Sequence, residues 1–296
     1  MTQKYKLESQ ELTDEVRKSA SGLFISLPCG NTHYSIEGEG DEWVVLVHGY
    51  ATPYFIYDKI AEGLISSGYK ILRYDLLGRG LSERVPGPYT PALFARQLDE
   101  LTTALLGETP FYLFGTSMGG TITTTYTAAH PDKVKKLVLL APAGMHFKVP
   151  FYMKLARPKG IGEVMFRSFG GKALQKNCAK EMLYSGEEVK KSYEEKFAYH
   201  MQYKGMLDAT LSSLRNTILN FDEARIGYDG VAAAKTPVLV IWGTADKTMP
   251  YYQNEEMKKV LPQMTLITYE NSGHIFLYDE GERTLRDVLP FLKGER

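Results

Sequence analysis

The stretch GTSMGG, Gly115 to Gly120, follows the apolar run FYLF (Phe111 to Phe114) and leads into TITTTYTAAH (Thr121 to His130). The spacing predicts a buried strand running into a helix, with Ser117 at the turn. A surface turn would account for the glycines, but not for regular structure on both sides. In G-x-S-x-G the turn strains the serine backbone, and the glycines two residues to either side let strand and helix approach without side-chain clash. Ser117 is therefore expected at the end of a strand with its hydroxyl presented.

The same alternation extends outward in both directions. GLFISLP (Gly22 to Pro28) and THYSIEG (Thr32 to Gly38) alternate apolar and polar residues and predict an opening hairpin. EWVVLVHG (Glu42 to Gly49) is nearly all apolar, as for a strand buried on both faces. YKILRYDLLG, VKKLVLLAP, PVLVIWG and MTLITYE continue the strands. Helical spacing lies between them: in YFIYDKIAEGLISSG, in Phe94, Leu98, Leu101 and Leu105 after a starting Pro91, and in the final TLRDVLPFLKG. From about Met145 to Gly230 no buried-strand run occurs. The expectation is an α/β fold in three parts: residues 1–144 as the first part of the core, 145–230 as a helical insertion, and 231–296 as the second part.

The 296 residues carry 35 basic and 35 acidic side chains, so bulk charge excludes a nucleic-acid binder of the electrostatic kind. The start, MTQKYKLESQELTDEVRKSA, lacks the apolar centre of a signal peptide, and no stretch of about 18 apolar residues occurs. A soluble cytoplasmic protein is expected. Cys29 and Cys178 are the only cysteines, which offers neither a disulfide framework nor zinc spacing; two reduced thiols are expected.

Serine is a poor nucleophile until a base, held by a third group, takes its proton. WGTADKTMP places Asp246 just after one strand, and NSGHIFLYDE places His274 after the next. The order Ser117, Asp246, His274 is the one this strand-turn-helix motif calls for. The other five histidines read as structural or surface residues: His33 in an early strand, His130 before Pro131, His146 and His200 in the insertion, and His48 shaping a loop. A developing oxyanion also needs donors. Gly49 lets the chain turn toward the serine, so the backbone N–H groups of Tyr50 and Met118 are the expected pair. DLLGRGLSE (Asp75 to Glu83) reads as structural support.

Together, HGY, DLLGRGLS, GTSMGG, WGTAD and SGH resemble the α/β-hydrolase superfamily in order and spacing, over nearly the whole chain outside the insertion. The resemblance implies an eight-stranded, mostly parallel sheet flanked by helices, a Ser-Asp-His triad, a cap or lid inserted after the sixth strand, and no cofactor or metal. Serine at position 117 departs from the dehalogenase and epoxide hydrolase branches, which use aspartate there. HGYATP and Thr116 depart from the carbon–carbon bond hydrolases of ring-cleavage products, which stay an alternative. A non-catalytic, hydrolase-like binding module is a second one. The remaining reading is a carboxylic-ester hydrolase, similar to carboxylesterase or monoacylglycerol lipase branches, acting on a small-molecule acyl ester.

Between Met145 and Lys180 eight basic residues face a single acid, Glu163, and aromatic residues are interleaved with them. Phe147, Phe151 and Phe166 are candidates to line an acyl site. The basic face could rest weakly on an anionic lipid surface, or simply be a solvated face.

Overall fold

The computed structural model describes residues 5–177 and 179–295. Cys178 lies outside the described residues, and Cys29 is a buried free thiol. Eight strands form one sheet in the order β1-β2-β4-β3-β5-β6-β7-β8. They are β1 Leu23–Leu27, β2 Gly30–Glu37, β3 Glu42–Val47, β4 Tyr69–Tyr74, β5 Phe111–Thr116, β6 Val134–Leu140, β7 Val238–Gly243 and β8 Thr265–Tyr269. β1 and β2 make the expected hairpin, β2 runs antiparallel to β4, and all later pairings are parallel.

The strands that read as continuous apolar runs are the most deeply placed. Every residue of β7 is buried, as are Val44–Val47 of β3 and Leu137–Leu140 of β6. Two helix groups flank the sheet. Asp58–Ser66 packs with Gly281–Lys293, while Met118–Ala129 packs between Pro91–Leu106 and Phe221–Ala234. Because β3 to β8 are parallel, the loops after β3, β5, β7 and β8 leave one edge of the sheet. This is where open α/β sheets bind ligands.

Between β6 and β7 the elements among the described residues are helical, from Phe151–Ala156 to Phe221–Ala234, apart from an isolated bridge of Tyr203 to Gln10. The boundary expected at residue 230 falls inside the last of these. That helix packs so closely on the elbow helix that a Cβ on Gly227 would lie 2.8 Å from the Thr125 nitrogen. Its Tyr228 hydroxyl donates to the Ala143 carbonyl. Phe221–Ala234 is thus a layer of the core, which helical periodicity alone could not distinguish from the preceding segment. A second feature without a sequence signal is the N-terminal strap. Glu8 and Gln10 N–H groups donate to the Met201 and Gln202 carbonyls, and the Glu8 carboxylate accepts the Leu207 N–H.

A buried ion pair organises the loop after β4. Asp75, fully buried, accepts from His33 Nδ1 at 2.7 Å and from the Tyr54 and Leu81 N–H groups. His33 Nε2 donates to the Ser21 carbonyl, so both ring nitrogens are donors and the imidazole is charged. Burial works against that charge, but the Asp75 carboxylate overrides it and raises the His33 pKa. The Asp75 pKa is held below the usual carboxylate range, His33 outweighing its burial. The pair therefore stabilises fully between the unfolded pKa values of about 4 for Asp and about 6.5 for His. Its contribution fades as pH rises through the raised His33 value or falls through the lowered Asp75 value. Asp75→Asn leaves a buried cation unpaired and should cost about 3–5 kcal/mol in denaturant unfolding near pH 6. An unchanged midpoint would show that the pair does not support the loop.

Candidate active site

The elbow is built from the backbone outward. Ser117 has φ 53° and ψ −121°, a conformation that a residue with a side chain adopts only under constraint. The constraint is visible: the Ser117 N–H donates to the Leu140 carbonyl, and its own carbonyl accepts from Gly120 and Ala143. β6 thus grips the turn from the side. A Cβ on Gly115 would lie 2.5 Å from the Gly119 oxygen, and one on Gly119 would strike the Val47 and His48 carbonyls. Both glycines are required by close approach. The Ser117 side chain is buried and makes no hydrogen bond among the described residues.

The loop after β3 lies directly against it. A Cβ on Gly49 would be 3.1 Å from the Ser117 Cβ and 3.6 Å from its Oγ. The Met118 N–H opens a helix and so has no intrahelical acceptor. Neither it nor the Tyr50 N–H has a partner among the described residues. His48 shapes this loop, as expected: its Nδ1 donates to the Gly49 carbonyl and its Nε2 accepts the Leu76 N–H. Burial lowers its pKa to about 4, which keeps it neutral.

Arg79, within the stretch expected as structural support, positions the loop after β3. It is fully buried with no carboxylate partner among the described residues, and burial lowers its pKa to about 10. Its Nε donates to the Tyr50 carbonyl at 2.9 Å and its Nη2 to the Ser213 hydroxyl at 2.7 Å. It thereby ties the Tyr50 loop to the helix Met206–Ser213. The rings of Tyr50, Tyr89 and Phe94 surround the guanidinium at 5.8 to 5.9 Å, which offsets part of its desolvation.

Asp246 and His274 meet across two loops. His274 Nδ1 and Asp246 Oδ2 are 2.8 Å apart, with both side chains buried. The other carboxylate oxygen, Oδ1, accepts the Thr248 and Met249 N–H groups at 2.9 and 2.7 Å, which fixes its orientation. A carboxylate only accepts, so Nδ1 carries the proton and Nε2 is left with a lone pair. Burial lowers the His274 pKa, but the charge and hydrogen bond of Asp246, with Glu181 behind them, outweigh it and raise the value.

Glu181 and Asp279 were not legible in the sequence, since nothing in their spacing sets them apart from surface acids. Glu181 Oε2 accepts the His274 N–H at 3.3 Å and the Lys247 N–H at 3.4 Å. In return, the Asp279 carboxylate accepts the N–H groups of Leu183, Tyr184 and Ser185. The segment 181–185 is stitched to both loops that carry the Asp246–His274 pair.

Of the three aromatic residues expected at an acyl site, Phe166 is buried and Phe147 is half-buried, its ring edge-to-face with Phe221. Phe151, by contrast, is largely exposed, its helix turning Ala156 inward instead. A cavity of about 510 Å³ lies elsewhere, between His33, Tyr54, Arg73, Lys196 and His200, and none of Ser117, Asp246 and His274 lines it. Among the described residues no group of three or more His, Cys, Asp or Glu side chains is arranged to hold a metal ion.

The charged neighbours facing His274 are Asp246 and Glu181. Removing the second negative charge should lower the imidazole pKa, so an NMR titration of His274 should move to lower pH in Glu181→Gln. An unmoved titration would show that Glu181 acts on the backbone alone.

A family model described as alpha/beta hydrolase fold matches residues 42–281. The chain is similar to Lipase 3 of Moraxella sp. (strain TA144), 27% identical over 266 residues, covering 86% of this chain and 78% of that one. It is also similar to a 2-hydroxy-6-oxononadienedioate/2-hydroxy-6-oxononatrienedioate hydrolase of Dechloromonas aromatica (strain RCB), 25% identical over 292 residues, covering 96% and 98%. Among solved structures, a thermophilic esterase from Thermogutta terrifontis superposes with a TM-score of 0.76 at 20% identity, covering 93% and 99%. That last likeness concerns the fold. With the family model spanning most of its length, the chain belongs to the alpha/beta hydrolase fold family.

Proposed function

We propose that the chain is a serine hydrolase of carboxylic esters, with Ser117 as nucleophile, His274 as general base and acid, and Asp246 orienting the imidazole. The observation that carries this reading is the buried hydrogen bond from His274 Nδ1 to Asp246. It leaves Nε2 as the proton acceptor on the edge of the sheet that also bears the strained Ser117.

In this mechanism Nε2 takes the Ser117 proton as Oγ attacks the ester carbonyl carbon. The carbonyl π electrons move to oxygen, and the Tyr50 and Met118 N–H groups stabilise the oxyanion. Collapse expels the alcohol, which leaves with the proton from Nε2, and the acyl group stays on Ser117. Water then repeats the sequence with His274 as base, releasing the acid and restoring the hydroxyl. The positive charge that forms on the imidazole sits beside Asp246, which holds its orientation and compensates the charge. The helices from Phe151–Ala156 to Met206–Ser213 serve as a cap, with Phe147 and Phe166 as acyl contacts. A small or medium acyl ester, or a monoacylglycerol-like lipid, is the substrate class.

A second reading, hydrolysis of a carbon–carbon bond in a ring-cleavage product, is favoured by the relative that matches over nearly its full length. Turnover of chromogenic acyl esters against a ring-fission dienoate separates the two. The ester reading predicts hydrolysis of the first and none of the second.

Ser117→Ala should lower ester turnover by at least about three orders of magnitude with the fold intact, since the members of a triad act as a unit. Asp246→Asn should lose roughly three to four orders, because the amide no longer accepts from Nδ1. In the unaltered protein kcat/KM should rise with pH as His274 loses its proton, with an apparent pKa above the ordinary imidazole value of about 6.5. Near-normal turnover in Asp246→Asn would assign the third role to another carboxylate.

A further inference from the structure

We propose that the three consecutive elements Phe151–Ala156, Ile161–Met165 and Phe166–Gly170 form a docking surface for an anionic lipid bilayer. The first two have a polarity inverted relative to ordinary surface helices, which bury a stripe of large apolar residues, and the third buries Phe166 but leaves Phe169 exposed. Here the first element turns Ala156 inward and the second Gly162. Meanwhile Phe151, Tyr152, Leu155, Ile161, Val164 and Phe169 stay exposed, from 40% at Leu155 to 74% at Phe151. Six of the eleven large apolar side chains exposed among the described residues thus fall within 19 positions. Single exposed apolar residues need no explanation, but such a concentration marks an interaction surface.

Charge identifies the occupant. Lys148, Lys154, Arg157, Lys159 and Lys172 are exposed around these residues, and none has an ion-pair partner among the described residues. The one acid of the region, Glu163, is already held by Arg215, which lowers its pKa to about 2. The chain as a whole is neutral, so this positive excess is local. A second copy of the chain docking two-fold on the same surface would set cation against cation. An anionic bilayer offers what the surface lacks: counter-charge for the lysines at headgroup level, and an apolar layer a few ångströms deeper for the phenylalanines.

The surface argument does not depend on which bond the site cleaves.

The test is co-sedimentation of the full chain with vesicles, one set pure phosphatidylcholine and the other with about one third phosphatidylserine. The chain should pellet with the second set and only weakly with the first, and added salt should release it. Lys154→Glu combined with Arg157→Glu and Lys159→Glu should weaken binding by more than about tenfold. Phe151→Ser with Ile161→Ser and Phe169→Ser should do the same. All six side chains are exposed, so the melting temperature should hold in both variants, and a shared loss of binding then reports on the surface. No binding to either vesicle set would overturn the proposal. So would loss in the charge variant alone combined with salt-sensitive capture on polyglutamate, which would mark an acidic protein as the partner. A concentration-dependent dimer abolished by Phe151→Ser would overturn it in favour of a second copy.

Discussion

The structure depends on one constraint: the chain must leave β5 and enter the next helix within a single residue. That residue, Ser117, takes a positive φ that only the surrounding hydrogen bonds from β6 and from Ala143 can enforce. The turn brings the helix N-terminus against the end of β3, close enough that only glycine fits at position 119. The same approach presses the Gly49 turn onto the serine side chain. A strained residue, a helix start and a neighbouring loop are therefore one geometric unit. The strain places a serine side chain against the Gly49 turn, next to a helix start whose Met118 N–H has no acceptor among the described residues.

The rest of the edge is held by buried polar contacts in place of apolar packing. His48 links the β3 loop to the start of the β4 loop, Asp75 and His33 fix that second loop, and Arg79 joins both to Ser213. Each member is satisfied by a specific partner, so loss of any one strands another in a low-dielectric setting. Across the site, Glu181 and Asp279 exchange backbone hydrogen bonds between the β6–β7 segment and the loops bearing Asp246 and His274. The segment after β6 is thereby tied to the loops that carry Asp246 and His274.

How much of this was legible follows from where information sits in a sequence. All eight strands were placed, the inner ones because continuous apolar runs at these lengths have few other solutions, and β1 and β2 because apolar and polar residues alternate along them. The Ser117, Asp246 and His274 positions were marked by glycines and by strand ends, and the structure brings Asp246 and His274 into contact. The segment after β6 was less legible. Helical periodicity names a buried face without saying what covers it, so residues 221–230 read as part of the insertion and Phe151 as a candidate to line an acyl site. Arg79, Glu181 and Asp279 act through single hydrogen bonds to backbone atoms far away in sequence, and no local pattern encodes that pairing.

The central claim is that the residue at the strained turn is the nucleophile. Reaction of the intact protein with an organophosphorus fluoride, followed by mass mapping of the modified peptide, tests it directly. The account predicts stoichiometric modification at Ser117, slowed in His274→Gln and absent in Ser117→Ala. Modification at another residue, such as Ser82 or Ser272, with Ser117 unmodified, would contradict it.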